Sequence, residues 1–300
     1  MMRPTLNAAG RLPASIEVSP KQAVERDDIY NLIPKGCRVY VTDLGNAPED
    51  MIIAANARLA RAGYCPVPHF AARRFASVEH FEKRLERLAG EAGITDVLTI
   101  AGEAVQPGPI ASSLDMMRTG AFDRHGIRHI AVAGHPTGAP DIPTPTIRSF
   151  LMQKHEYAQT SDADYRIVTQ FGFDPGRILE WFDELKSWGN EFPVHVGIAG
   201  PAKTTTLMKY AAMVGLGNSV QFLKKKGSSL MPLLTGYNPD VVVGPLEEAV
   251  NRDAAEQLAQ IHVYPFGGVA KAAEWLNNRQ SWPGLTQDNT PSPFRAEAVS

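Results

Sequence analysis

Glu17 sits in the stretch Ser15-Ile-Glu-Val-Ser19, a carboxylate between two aliphatic side chains. A strand that carries an acid among apolar neighbours must pair it or use it, because desolvation disfavours the ionised form. Burial of that kind suits a general acid, which keeps its proton until a reacting group takes it. A salt bridge to a neighbouring strand is the plainer alternative. The same pattern, a chemically capable residue where a short apolar run ends, recurs at Asp43, His69, Glu103, His135, Gln170 and Lys203. Gln170 is followed by Phe171 and Phe173, which flank Gly172, and Phe266 closes the last run.

Each of these has a structural reading beside the chemical one. His69 and His135 serve equally as hydrogen-bonded structural histidines, and no H-x-H or H-E-x-x-H spacing marks a zinc site. Glu103 follows Ala101-Gly102, a glycine turn where backbone can approach a ligand closely; a solvated loop acid is the alternative. The stretch Gly197 to Thr206 resembles a phosphate-binding loop only loosely. Ala202 occupies the glycine position before Lys203, and Pro201 removes an amide donor. Acids, histidines, an amide and aromatics together suit a flat, hydrogen-bonding heteroaromatic ligand better than a metal or a phosphosugar.

The elements that would bring these residues together repeat in a regular way. Short apolar runs lie at 14–19, 38–44, 65–70, 96–102, 129–135, 166–171, 194–200 and 261–266. Most lack strict polar and apolar alternation, as strands covered on both faces do. Amphipathic segments separate them. One spans 48–63, opening at Pro48 and ending at glycine, and one spans 77–93 with a Ser77 cap and a stripe of Phe81, Leu85 and Leu88. A third begins at Asp174-Pro175, with Ile178, Trp181, Phe182 and Leu185 on one face, and a fourth spans 246–259. The first seven runs start roughly 24 to 37 residues apart, the length of a strand–helix unit, and eight such units close a parallel sheet. The fold class is therefore α/β, a (β/α)8 TIM barrel in a single domain. An extra helical segment or long loop fills the doubled spacing between the seventh and eighth strands. An open doubly wound sheet is disfavoured, since no G-x-G-x-x-G follows the first strand. The expected division is an N-terminal tail over 1–12, a catalytic barrel over 13–281 and a C-terminal tail over 282–300. In such a barrel the strand ends converge on one mouth.

Composition narrows the classes. The 300 residues are 44% hydrophobic and 21% charged, with net charge −2, too balanced for a nucleic-acid or anionic-membrane partner. The basic run Lys224-Lys225-Lys226 reads as a solvated helix end. Cys37 and Cys65 show neither metal nor disulfide spacing, which fits a reducing cytoplasm. No apolar run reaches the ~20 residues of a membrane helix, and no signal peptide opens the chain. The expected location is cytoplasmic.

Several motifs, taken in order, resemble the methylenetetrahydrofolate reductase family. "SIEVSPK" is similar to that family's first strand, whose glutamate is the proposed general acid, and "PVPHF" to the third. "GITDVLTIAGE", "IAVAGHPTGAPD", "IVTQFGFD", "PVHVGIAGP" and "IHVYPFG" follow the fourth to eighth strands in sequence. The likeness runs from about Ala14 to Leu276. It implies a bacterial-type catalytic barrel, without the regulatory domain of the eukaryotic enzymes. That barrel would be a flavoprotein oxidoreductase of one-carbon metabolism, interconverting 5,10-methylene- and 5-methyltetrahydrofolate. On the resemblance, Glu17 supplies the proton that opens the imidazolidine ring, and Glu103 faces the pterin or the developing N5 cation. Gln170 hydrogen-bonds the pterin, with Phe171 or Phe173 as walls. His69, Ala101, His135, Lys154 (in "LMQKHEYA") and Thr169 fall at cofactor positions, the cofactor being FAD and the reductant NADH or NADPH. The partner is a small-molecule folate, and a homo-oligomer is left open.

The departures are specific. Glu103 replaces an Asp, Ala101 an Arg and His135 a Tyr, and the loop after the second strand reads "TDLGNAPED". Three alternatives accompany the main reading. They are a flavin-free enzyme taking hydride from NADH, one running in the oxidising direction for demethylation, and a non-redox folate-linked methyl transfer. A decayed, non-enzymatic barrel is opposed by the presence of Glu17 and the Thr169-Gln170 pair.

Overall fold

The computed structural model describes residues 6–102, 108–139, 142–213 and 236–282. Eight parallel strands close into a barrel in sequence order, the last hydrogen-bonded to the first. They are β1 Ala14–Val18, β2 Arg38–Val41, β3 Cys65–Ala71, β4 Asp96–Ile100, β5 His129–Gly134, β6 Asp164–Thr169, β7 Val194–Ala199 and β8 Leu258–Tyr264. This is the expected (β/α)8 architecture, and every strand overlaps the apolar run that announced it. Between strands lie α1 Pro20–Glu25, α2 Ile29–Leu32, α3 Glu49–Arg61, α4 Val78–Ala92, α5 Ser113–Arg118, α6 Ala121–Arg124, α7 Thr144–Ala158 and α8 Pro175–Trp188. Then come α9 Thr204–Met213 and α10 Asp240–Asn251 between β7 and β8, and α11 Val269–Arg279 after β8.

Local chemistry explains the outer ring. The Ser77 hydroxyl accepts from the His80 amide to start α4. Phe81, Leu85, Leu88 and Ala92 then bury one face, and Gly93 ends the helix at φ 60°. Phe81 joins Phe70, Phe75 and Phe122 in a cluster with ring centroids 5.3–6.0 Å apart, fastening α4 and α6 to β3. The Asp174 carboxylate caps α8 by accepting from the Gly176 and Arg177 amides.

One boundary differs from expectation. The helix read over 246–259 runs instead from Asp240 to Asn251, straight through Pro245, and Leu258 already belongs to β8. The packing of Val242, Val243 and Leu246 carries the helix across the proline.

The strands alternate, although the sequence hides it. Ile16, Val18, Val39 and Val41 join the large core between sheet and helices, while Tyr40, Val67, Leu98, Ala131 and Val168 form a separate cluster inside the barrel. Residues two apart therefore share the interior: Ser15 with Glu17, Arg166 with Val168, His262 with Tyr264. The lower interior is polar and held by ion pairs. Arg166 donates to Asp96 (2.7 Å) and to the Tyr40 oxygen (2.9 and 3.2 Å), and Arg38 donates to the other Asp96 oxygen (2.9 Å).

Candidate functional site

At the C-terminal end of the barrel, β1 delivers Glu17 inward against β3 and β8. Its Oε2 atom lies 3.6 Å from His262 Nε2 and 3.9 Å from His69 Nε2. These separations are too long for hydrogen bonds. All three atoms are buried, and among the described residues no group hydrogen-bonds any of them. One polar ligand atom placed among them would satisfy a carboxylate and two imidazoles together. On the other side of its ring, His262 Nδ1 shares a 3.0 Å hydrogen bond with the Ser15 hydroxyl. If Ser15 donates, the ring proton stays on Nε2 and points at Glu17.

His69 and His135 favour the neutral form. Burial pulls His69 down to about 4, against the opposing pull of Glu17, and His262 lowers it further. Burial, assisted by the Lys154 charge, also brings His135 to about 4. Lys154, on α7, is 8% exposed, and desolvation lowers its ammonium to about 8. Among the described residues no carboxylate pairs with it. A buried cation without a counter-charge favours whatever anionic group a ligand brings to it.

Gln170 follows β6 and is half-buried. Its side-chain oxygen accepts from the Phe171 amide at 3.1 Å, so the NH2 group is the end of the side chain that could serve a ligand. Thr169 is different. Its hydroxyl donates to the Gln170 carbonyl and accepts from the Gly197 amide, and the residue is fully buried. It pins β6 to β7 instead of meeting a cofactor. Phe171 and Phe173 are 2% and 1% exposed, covered by Tyr264, Phe266 and Tyr237. Among the described residues Tyr264, Phe266, Tyr210 and Tyr237 of this cluster stay half-buried, and the rings of Tyr264, Phe266 and Tyr210 stack in series at 5.9 and 4.4 Å.

Other sequence-derived candidates find plain roles. Asp43 forms a buried ion pair with Arg84 of α4 at 3.0 Å, so the acid ending β2 is committed to structure. The Ala101 carbonyl accepts from the Arg73 amide. Lys203 is exposed ahead of α9. Glu103 and Lys224–Lys226 lie outside the described residues. Among the described residues no group of His, Cys, Asp and Glu is arranged to hold a metal ion, and no helix is long and apolar enough to cross a membrane.

Sequence reasoning passed over Ser15, Tyr40, His262 and Tyr264. The signal that finds them is the two-residue step along a strand. It leads from Glu17 to Ser15 and from His262 to Tyr264, and it sets Tyr40 apart from its flanking valines.

No protein-family profile matches the chain. Among solved structures, dihydropteroate synthase from Thermus thermophilus superposes with a TM-score of 0.50 at 11% identity, over 91% of this chain and 95% of that one. A second structure of that enzyme gives 0.48 at 12% identity, over 95% and 100% of the two chains. D-psicose 3-epimerase gives 0.44 at 9%, over 92% of both. The likeness is one of fold. The first of these structures agrees with the closed barrel described above.

Proposed function

We propose that this chain is an oxidoreductase of one-carbon tetrahydrofolate chemistry, similar to methylenetetrahydrofolate reductases, interconverting the 5,10-methylene and 5-methyl forms. The observation that carries the reading is Glu17: a carboxyl group at the barrel mouth whose inner oxygen faces two imidazole nitrogens and no hydrogen-bond partner. A group so placed can hold a proton and deliver it to a ligand nitrogen lying against it. For a methylenetetrahydrofolate that nitrogen is N10, and its protonation opens the five-membered ring towards an N5 iminium cation. His262, steadied by Ser15, and His69 would share a ligand atom with the Glu17 oxygen they face. The Gln170 NH2 group is placed to bind an acceptor on a pterin edge. The half-buried face of Tyr264, Phe266 and Tyr210 would wall the flat ring, the place the sequence assigned to Phe171 and Phe173.

Flavin would supply the hydride that converts the iminium carbon to a methyl group. The residues present fit such a group in one respect. The buried, unpaired ammonium of Lys154 suits a phosphate or another electron-rich edge, with neutral His135 beside it. His69 and the backbone at Ala101 complete the set that would hold it, and Thr169 drops out because its hydroxyl serves the backbone.

The visible absorption spectrum of the purified protein tests this. A bound oxidised-flavin band that bleaches anaerobically on adding 5-methyltetrahydrofolate is the expected result. A colourless protein that gains no band on incubation with FAD removes the flavin. Direct hydride transfer from NADH, or methyl transfer without redox, would then be assayed in its place.

A further inference from the structure

We propose that Tyr40 is a positioning residue that holds the two imidazoles facing Glu17 at their spacing, and is itself clamped by the buried arginine beneath it. The proposal rests on the reading of Glu17 as the proton donor. Tyr40 is level with Glu17 in the β1–β2 register and is fully buried, so no ligand reaches it. Its ring centroid lies 4.3 Å from that of His262 and 6.2 Å, edge-on, from that of His69. It is thus the one described side chain whose ring touches both histidines that face the Glu17 oxygen.

The other end of Tyr40 is fixed by charge. Its phenolic oxygen accepts from both Nε and Nη2 of Arg166, and Arg166 is in turn held by Asp96, which Arg38 also grips. Charge-assisted hydrogen bonds of this fork geometry resist rotation of the groups they join. A chain of contacts therefore runs from the ionic floor of the barrel, through one aromatic ring, to the imidazoles and the carboxyl at the mouth. A filler residue would satisfy the volume alone. A tyrosine meets an apolar demand at its ring and a polar one at its oxygen, and both demands are present here.

Two variants separate positioning from filling. Tyr40→Phe keeps the ring and frees the Arg166 fork, while Tyr40→Leu removes the ring. Long-range proton–nitrogen correlation spectra of the full chain report which ring nitrogen of each histidine carries the proton, with His262→Gln and His69→Gln supplying assignments. The expected result is a changed ring-nitrogen signature for His262 and His69 in Tyr40→Leu, and a smaller change in Tyr40→Phe. With methylenetetrahydrofolate, kcat of Tyr40→Leu is expected to fall on the order of 100-fold with KM within about threefold, since misplacement affects the chemical step more than binding. Tyr40→Phe should recover most of that loss.

Unchanged histidine spectra in Tyr40→Leu would overturn the proposal, whatever kcat does, because a packing defect lowers the unfolding temperature without moving ring protons. Unchanged kcat would overturn it equally. If Tyr40→Leu does not fold, the same two readouts on Tyr40→Phe decide, and wild-type values there count against the proposal. If the wild-type protein shows no turnover of methylenetetrahydrofolate, the folate reading fails and the histidine spectra alone judge Tyr40.

Discussion

A single carboxyl group carries most of the chemical argument, and it can be tested by one atom. Glu17→Gln keeps the shape and a hydrogen-bonding end but holds no acidic proton. Folate binding should survive within a few-fold while turnover of methylenetetrahydrofolate falls on the order of 10²- to 10⁴-fold. Unchanged turnover would take Glu17 out of the mechanism. The neighbouring histidines make a second prediction, about stability. His69 and His135 titrate near 4 in the folded chain, against about 6.5 when unfolded. Between those values the unfolded chain binds more protons. The stability they contribute is therefore intact above about pH 6.5 and lost as pH falls towards 4, on the order of 3 kcal/mol for His69 alone. Urea midpoints at pH 7.5 and 5 should show the loss, and His69→Gln should shrink it. Glu17 was legible in the sequence as an acid out of place, but its surroundings were not. Ile16 and Val18 point to the helices, and the residues that do meet Glu17, namely His69 and His262, stand far along the chain.

Whole strands were far easier to read than their faces. Runs of Val, Ile and Ala mark each strand because the barrel buries both sides of it, and the same burial blurs the alternation that separates inside from outside. Two-residue parity restores it once a single inward residue is known. The helix at 240–251 shows a misplaced boundary: expected over 246–259, it starts before Pro245 because Val242 and Val243 pack into the core. Close approach between strands is likewise invisible in one dimension. Gly197 on β7 lies so near the end of β6 that a Cβ there would stand 2.3 Å from the Thr169 carbonyl oxygen and 2.8 Å from the Gln170 carbonyl carbon. Gly197→Ala should push that strand end away, destabilising the protein by about 1–3 kcal/mol or more and weakening ligand binding through Gln170. Denaturant unfolding beside a folate binding isotherm separates the two effects. Wild-type behaviour in both would mean that the strands part without consequence.

At the scale of the molecule, eight repeats, the first seven of them evenly spaced, were enough to predict closure. The polar floor inside the barrel was not predictable, because its partners lie 58 and 70 residues apart and each looks like an ordinary charged residue locally. Removing one member should be severe. Arg166→Met leaves Asp96 buried with only Arg38 and strips the Tyr40 oxygen of both donors, a loss expected at about 3–5 kcal/mol in urea unfolding. A variant within about 1 kcal/mol of wild type would show that the floor tolerates an unbalanced charge. That floor also makes the barrel a blind-ended vessel. Tyr40 stands level with Glu17, and Arg166 and Asp96 fill the interior beneath, so the open approach to the carboxyl group is from the mouth. On the proposed reading a flat ligand seated there would stopper it, and the hydrogen isotope that Glu17 hands over would be the one loaded before the ligand arrived.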